Sequence, residues 1–253
     1  MSARIVCLVP SLTELLFQLG LKDQLVGRTD FCIHPRGAVD PIAKVGGTKN
    51  VRLDRVRALR PTHVIVNVDE NRAEEVDQLR SVVPELIVTH PNSPQDNLAL
   101  YRDFGERFGA APAARRLRDR LEAELARCAA THWPVERVLY LVWRDPWMSV
   151  ASDTYIAATL ATVGWQVIHG PGGDSGAARY PQIDRIETAA AQADRILLST
   201  EPYPFTAIHV AKLQALLPGR PVQLLDGEMT GWYGSRTAAG LAYLRSLRTA
   251  PPI

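Results

Sequence analysis

The residues best suited to chemistry in this chain sit just after short apolar runs. Trp143-Arg-Asp-Pro-Trp147, Glu201-Pro-Tyr-Pro-Phe205 and Asp226-Gly-Glu-Met-Thr-Gly-Trp-Tyr-Gly-Ser-Arg236 each combine rings with charged side chains, and Arg179-Tyr180-Pro181 adds another ring. Trp143, Trp147, Tyr180, Tyr203, Trp232 and Tyr233 on loops are better explained as a binding surface than as core. Turnover has weaker support. The chain holds no GxSxG, no P-loop and no GxGxxG, and Gly170-Pro-Gly-Gly173 reads as a plain loop because it contains Pro171. Glu201, Asp226 and Glu228 are the carboxylates an enzyme acting on a cofactor-like or sugar-like ligand would use. The histidines His34, His63, His90, His132, His169 and His209 show no HxxxH or HExxH spacing. A receptor for a bare divalent ion would have to gather ligands from separate loops, with His34, Asp69 and Asp226 as the candidates. Cys7 lies in an apolar run and Cys128 on an apolar helical stripe, and with Cys32 they read as core thiols rather than a disulfide framework or a metal cluster. His63 and His209 read as structural.

The elements that must carry these loops alternate strand and helix. RIVCLV from Arg4 reads as a buried strand ending at Pro10, followed by a helix capped by Ser11 with Glu14 at the capping-box position. Further strands are read at 25–27, 42–45, 61–66 and 86–88, and helices at 53–59 and 97–108. The stretch from Ala113 to Trp133 places Ala114, Leu117, Leu121, Leu125 and Cys128 on one stripe, with Arg and Glu on the other, which predicts one long amphipathic helix between Pro112 and Pro134. Beyond it the pattern repeats. Arg4 matches Arg137, Leu53-Asp-Arg-Val56 matches Ile183-Asp-Arg-Ile186, and Pro61 matches Ala193, offsets of 133, 130 and 132 residues. This predicts an N-terminal α/β lobe over 1–112, a connecting helix over 113–134 and a C-terminal α/β lobe over 135–253. Each lobe is a three-layer α/β/α sandwich with a mainly parallel sheet. In such sheets ligands lie beyond the carboxyl ends of the strands, where the aromatic loops fall.

A formal net charge of +2 with no basic stripe argues against nucleic acid. No run approaches the 18 apolar residues of a membrane span, and Ile5 to Val9 is too short for a secretion signal. The chain as written is expected in the cytoplasm, or in the periplasm or at the cell surface if a signal precedes Met1.

Taken in order, Val9-Pro-Ser-Leu-Thr-Glu14, Val45-Gly-Gly-Thr48, Leu53 to Ile65, the long helix and Arg179-Tyr-Pro-Gln-Ile183 followed by Ala193 to Leu198 resemble the substrate-binding proteins of ABC importers whose two lobes are joined by a single backbone helix. That family takes up cobalamin, ferric siderophores, haem and related chelates, and the cobalamin-binding branch is the most similar. The resemblance implies a ligand cleft between the lobes, with no built-in cofactor. It implies that Phe31 and Tyr180 line the cleft and that Arg236 stands at its rim. Thr48 and Asn67 stand where the cobalamin binders carry tryptophans. It also implies docking to a permease through one carboxylate per lobe. Asp54 matches the first position, and the second falls on Ile186, leaving Asp184 or Glu187 as substitutes.

The expectation is therefore a non-enzymatic, monomeric binding protein for a metal chelate, foremost a corrinoid, serving an ABC importer or acting as a carrier. Ring faces would bury a flat ligand, while Asn67, Thr48 and Arg236 satisfy its amide or carboxylate edges. Ferric siderophore or haem binding in the same cleft, a bare-metal receptor and an enzyme are the alternatives.

Overall fold

The computed structural model describes residues 2–168 and 178–249, so His169 and the Gly170-Pro-Gly-Gly173 loop lie outside the described residues. The chain divides into two compact units. Unit 1 comprises residues 1–91, 97–119 and 233–235, and unit 2 comprises 92–96, 120–232 and 236–253.

Unit 1 is built from β1 (Ile5–Cys7), α1 (Pro10–Gln18), β2 (Leu25–Arg28), β3 (Ala43–Lys44), the small hairpin β4 (Gly46–Gly47) and β5 (Asn50–Val51), α2 (Leu53–Ala58), β6 (His63–Asn67), α3 (Ala73–Arg80), β7 (Glu85–Thr89) and most of α4 (Asp96–Arg107). Its main sheet runs β3-β2-β1-β6-β7, and every pairing is parallel. Both faces of the sheet are covered. Val6, Leu8, Val64 and Val66 pack with Val56 of α2 and Leu79 of α3. The alternate residues Ile5, Cys7 and Ile65 are fully buried as well, as the period of two requires of a strand between two helical layers.

The long helix α5 (Ala111–Ala129) buries Ala114, Leu117, Leu121 and Cys128, the stripe read from the sequence. It begins and ends earlier than 113–133, and its first turn contains Pro112, which lacks only a donor that is unpaired there anyway. Gly105 of α4 lies against it. A Cβ on Gly105 would fall 2.7 Å from that of Ala114, so only glycine allows this approach.

Unit 2 carries β8 (Glu136–Trp143), β9 (Trp147–Ser149), α6 (Tyr155–Ala161), β10 (Trp165–Val167), β11 (Gln182–Ile183), α7 (Ile186–Ala191), β12 (Arg195–Ser199), α8 (Ala207–Leu216), β13 (Val222–Leu225), α9 (Gly227–Gly231) and α10 (Thr237–Thr249). The parallel set β10, β8, β12, β13 repeats β2, β1, β6, β7 of unit 1. Leu139, Leu141, Ile196 and Leu198 pack with α7 and α8, while the alternate Val138, Tyr140 and Leu197 are equally buried. What the sequence pattern does not predict is the antiparallel pair β9 and β11 beside the upper half of β8. It makes this sheet mixed.

Two local expectations are corrected. Ser11 does not cap α1; Pro10 opens the helix, Val9 is the cap residue and no side chain caps it. Proline's fixed φ suits the first helical position, so Pro10 starts α1 and the strand ends earlier, at Cys7. The repeat register also shifts at α2 and α7. Both are six-residue helices entered from an extended arginine, Arg52 and Arg185, so Asp54 corresponds to Glu187, an offset of 133, rather than to Asp184. Cys7, Cys32 and Cys128 are free and buried. His63 faces Glu85 at 3.1 Å, and His209 completes a capping box with Thr206 at the start of α8, both structural roles.

Candidate functional site

In unit 1 the carboxyl ends of β2, β6 and β7 present a polar surface with one prominent ring. Phe31 is 60% exposed and its ring lies against Gly47 of the β4–β5 hairpin. The loop that carries it is fastened from below by Arg28, the last residue of β2. This buried guanidinium donates to the carbonyls of Val39 (2.9 Å), Cys32 (3.1 Å) and Thr29 (3.2 Å). Three carbonyls are a sound partner set for a buried cation, and nothing in the sequence around Arg28 signals that role.

Asn67, at the end of β6, is only 2% exposed. Its Nδ2 donates to the Thr89 carbonyl at 3.0 Å, its Oδ1 accepts from the Asp69 amide at 2.8 Å, and its own amide donates to Asn71 Oδ1 at 2.8 Å. Asn71 in turn donates to the carbonyl of half-buried Thr48 at 2.9 Å. The two positions that resemblance marks in unit 1 are thus joined through one asparagine. The Asn67 and Asn71 side chains order the turn that carries the half-buried Asp69 and Glu70. Asp69 Oδ2 lies 3.6 Å from His90 Nε2. Tyr233 is buried and donates to Glu70 Oε1 at 3.4 Å. Burial, then the Glu70 charge, hold its phenol well above the ordinary tyrosine range. His34 is half-buried. Among the described residues no group of three or more His, Cys, Asp or Glu side chains is placed to hold a metal ion.

Unit 2 presents rings. Trp143 ends β8 and is 39% exposed; Trp147 opens β9, so the two flank a β-hairpin rather than an irregular loop. The Tyr203 amide donates to the Val142 carbonyl at 3.2 Å, which holds the 201–205 segment against the strand end. Trp143 meets Tyr203 edge-on at 5.6 Å between centroids, Tyr203 lies 4.6 Å from Phe205, and Trp147 stacks on Phe205 at 6.1 Å. His209 closes this cluster against both Tyr203 and Phe205. Such contacts fix ring orientation before any ligand arrives. Tyr180 lies on the segment fastened alongside β9, with the Ala151 amide donating to Arg179 O and the Ser149 amide to Pro181 O. Arg179 also donates to Asp153 O and Asn92 Oδ1, each at 2.8 Å.

A second constellation follows β12 and β13. Trp232 Nε1 donates to Glu201 Oε2 at 2.9 Å, the Arg236 guanidinium lies 4.8 Å above the Trp232 ring, and Arg236 is ion-paired with Glu228. Gly227 makes the arrangement possible, since a Cβ there would lie 2.5 Å from Ser199 Oγ and 2.7 Å from the Glu201 amide. Asp226 Oδ1 caps α9, accepting from the amides of Glu228 (2.9 Å) and Met229 (3.2 Å). The Glu201 carboxyl is held above its ordinary pKa by burial first and the Glu228 charge second. Asp184 and Glu187, like Asp54 in unit 1, are exposed.

Each unit also has a cavity at the amino ends of its strands. One of about 410 Å³ is lined by Thr62, His63 and Arg107, and one of about 590 Å³ by Glu136, Arg195 and Arg248. Their charged walls are already paired, Arg107 with the neighbouring Glu85 and Arg195 with Glu136. Strand polarity directs ligands to the other ends, where the rings are.

Against known proteins, the family model described as periplasmic binding protein matches residues 5–214. The chain belongs to the periplasmic binding protein family. Within it, the chain is 25% identical over 203 residues to the Vitamin B12-binding protein of Vibrio parahaemolyticus serotype O3:K6 (strain RIMD 2210633), a match covering 78% of this chain and 70% of that protein. Among solved structures, the periplasmic Vitamin B12 binding protein BtuF of Vibrio cholerae shares the fold with a TM-score of 0.81 at 20% identity, covering 98% of this chain and 99% of the other. A periplasmic heme binding protein from Pseudomonas aeruginosa superposes with a TM-score of 0.80 at 20% identity, over 100% and 95% of the two chains. The two-lobe α/β fold of this family is the fold described above. Among the described residues no helix is long and apolar enough to cross a membrane.

Proposed function

We propose that this periplasmic binding protein is a non-enzymatic receptor for a metal chelate, and that the chelate is a corrinoid. The observation that carries this reading is the pre-ordered ring set at the carboxyl ends of the unit 2 strands, Trp143, Tyr203 and Trp147 with Trp232 nearby. Locked rings bury flat ligand surface at little entropic cost. Phe31 adds one exposed ring from unit 1, and the cobalamin-binding relative supports the choice of chelate. The structural likeness to a haem binder supports an iron tetrapyrrole as the second reading. We read it further as the monomeric receptor of an ABC importer outside the cytoplasmic membrane, with Asp54 and either Glu187 or Asp184 meeting a permease; the helical register favours Glu187. Bare-metal binding is the weaker reading, because Asp226 is already committed as a helix cap.

Equilibrium dialysis of the purified protein against hydroxocobalamin and cyanocobalamin, read by visible absorbance, tests the ligand. Retained colour near one equivalent is expected, and a shifted spectrum with hydroxocobalamin would add that a side chain reaches the cobalt. No retention of either corrinoid, with retention of a ferric porphyrin, would replace the corrinoid by haem.

A further inference from the structure

The Arg236 guanidinium is not presented as a bare positive charge. It is packed over Trp232 and ion-paired with Glu228, and the two side chains are 15% and 18% exposed. Arg236 thus meets the Glu228 carboxylate directly, with the Glu201 carboxylate on the edge of the indole beneath it. A ligand carboxylate approaching Arg236 must displace Glu228 and face the field of Glu201, at unfavourable Coulomb energy. A primary amide has no such difficulty. Its carbonyl accepts from a guanidinium N–H, its N–H₂ donates to a carboxylate oxygen, and no charge is added.

We infer that Glu228 is a specificity-determining residue: by neutralising Arg236 it tunes this face of unit 2 to chelates with amide edges and against chelates with carboxylate edges. The inference rests on the proposal that the carboxyl end of the unit 2 sheet binds a chelate. It adds a reason why one ligand chemistry would be taken and another refused. The Glu201 carboxyl is held above its ordinary pKa by burial first and only then by the Glu228 charge.

The test uses two corrins with the same macrocycle, dicyanocobinamide with amide side chains and dicyanocobyrinic acid with free carboxylates. Affinities are measured by absorbance titration for the wild type, Glu228→Gln and Arg236→Gln. The wild type should prefer the amide form. Glu228→Gln should shrink that preference at least about tenfold, by strengthening binding of the carboxylate form. Arg236→Gln should widen it, because the positive charge that offsets the Glu228 carboxylate is then gone. Opposite shifts in the two variants keep the test informative if one of them fails to fold, which thermal melting would reveal. Corrin binding with an unchanged amide-to-carboxylate ratio in both variants overturns the role of Glu228 while leaving the corrinoid reading intact. If the wild type retains neither corrin, the corrinoid reading fails. The same ratio is then taken between a ferric porphyrin with two propionates and its diamide, and an unmoved ratio there, or no retention of either, overturns the inference too.

Discussion

The indole N–H of Trp232 donates to Glu201 Oε2 at 2.9 Å, across a gap of 31 residues, and this bond holds the loop after β12 to the loop after β13. The carboxylate pays for the arrangement, because burial and the nearby Glu228 both disfavour its charged form, and its pKa is raised. The native state therefore binds a proton on Glu201 more readily than the unfolded chain does. Stability from this group is fully present below pH 4.5 and is lost as pH rises through the raised native value. Glu201→Gln keeps an acceptor for the indole and removes the charge. The variant should melt above the wild type at pH 7, by about 1–2 °C once partial exposure is discounted. The difference should vanish at pH 4, where the wild-type carboxyl is protonated. A variant that melts lower than the wild type at pH 7 would show that the charge itself is stabilising.

Asp194 gives the opposite sign. Its carboxylate accepts from the Arg137 amide and Nη2, both at 2.8 Å, and from Nε at 3.2 Å. Those hydrogen bonds lower its pKa to about 2. Here the unfolded state binds the proton more readily, so stability is present above pH 3.8 and lost as pH falls toward 2. Asp194→Asn should flatten the acid limb of a melting-temperature profile between those values. At pH 7 it should lower the melting temperature by about 2 °C at most, because the pair is exposed and screened. An acid limb of unchanged slope would assign acid sensitivity to other carboxylates.

Periodicity made much of the fold legible. The parallel strands are continuous apolar runs because both faces are covered, and the stripe of α5 reads at helical spacing because one side is buried. Short edge elements were not legible: β9 and β11 span three and two residues, too few for a pattern, and are held by pairing to β8 and each other. Of the candidate site, the ring-bearing loops stood out by composition. Arg28 did not, because a buried arginine satisfied by carbonyls looks in sequence like any surface arginine. Asn67 and Tyr233 show the reverse: in sequence both read as reaching toward a ligand, and in the structure both spend polar atoms on neighbouring turns.

The ring cluster carries a direct prediction for affinity. Trp143 leans on Tyr203, and the backbone on either side of Tyr180 is paired, so the Trp143 ring and the segment that carries Tyr180 are ordered before binding. Trp143→Ala and Tyr180→Ala should each weaken retention of cyanocobalamin by at least about 1 kcal/mol, roughly fivefold. Titration by tryptophan quenching or visible absorbance measures this for both variants. Unchanged affinity in both would remove these two rings from the site.

Asp54 and Glu187 stand at the same place in α2 and α7, second in a six-residue helix that follows an extended arginine. Asp54 already lies 3.6 Å from Arg52 Nη2, but both side chains are more than half exposed, so this pair is weak and readily exchanged for a partner's arginine. If a permease reads one carboxylate per unit, the structural register selects Glu187, whereas the sequence repeat selects Asp184. Reversal of charge separates the two. Asp54→Lys and Glu187→Lys should each reduce co-purification with a detergent-solubilised permease at least about tenfold. Asp184→Lys, one residue before Arg185 and outside the helix, should leave it within about twofold on the same reasoning. All three should bind ligand as the wild type does, since none lies at the carboxyl end of a strand that carries the rings. Loss of co-purification in Asp184→Lys alone would mean that a partner follows the sequence register and not the helical one.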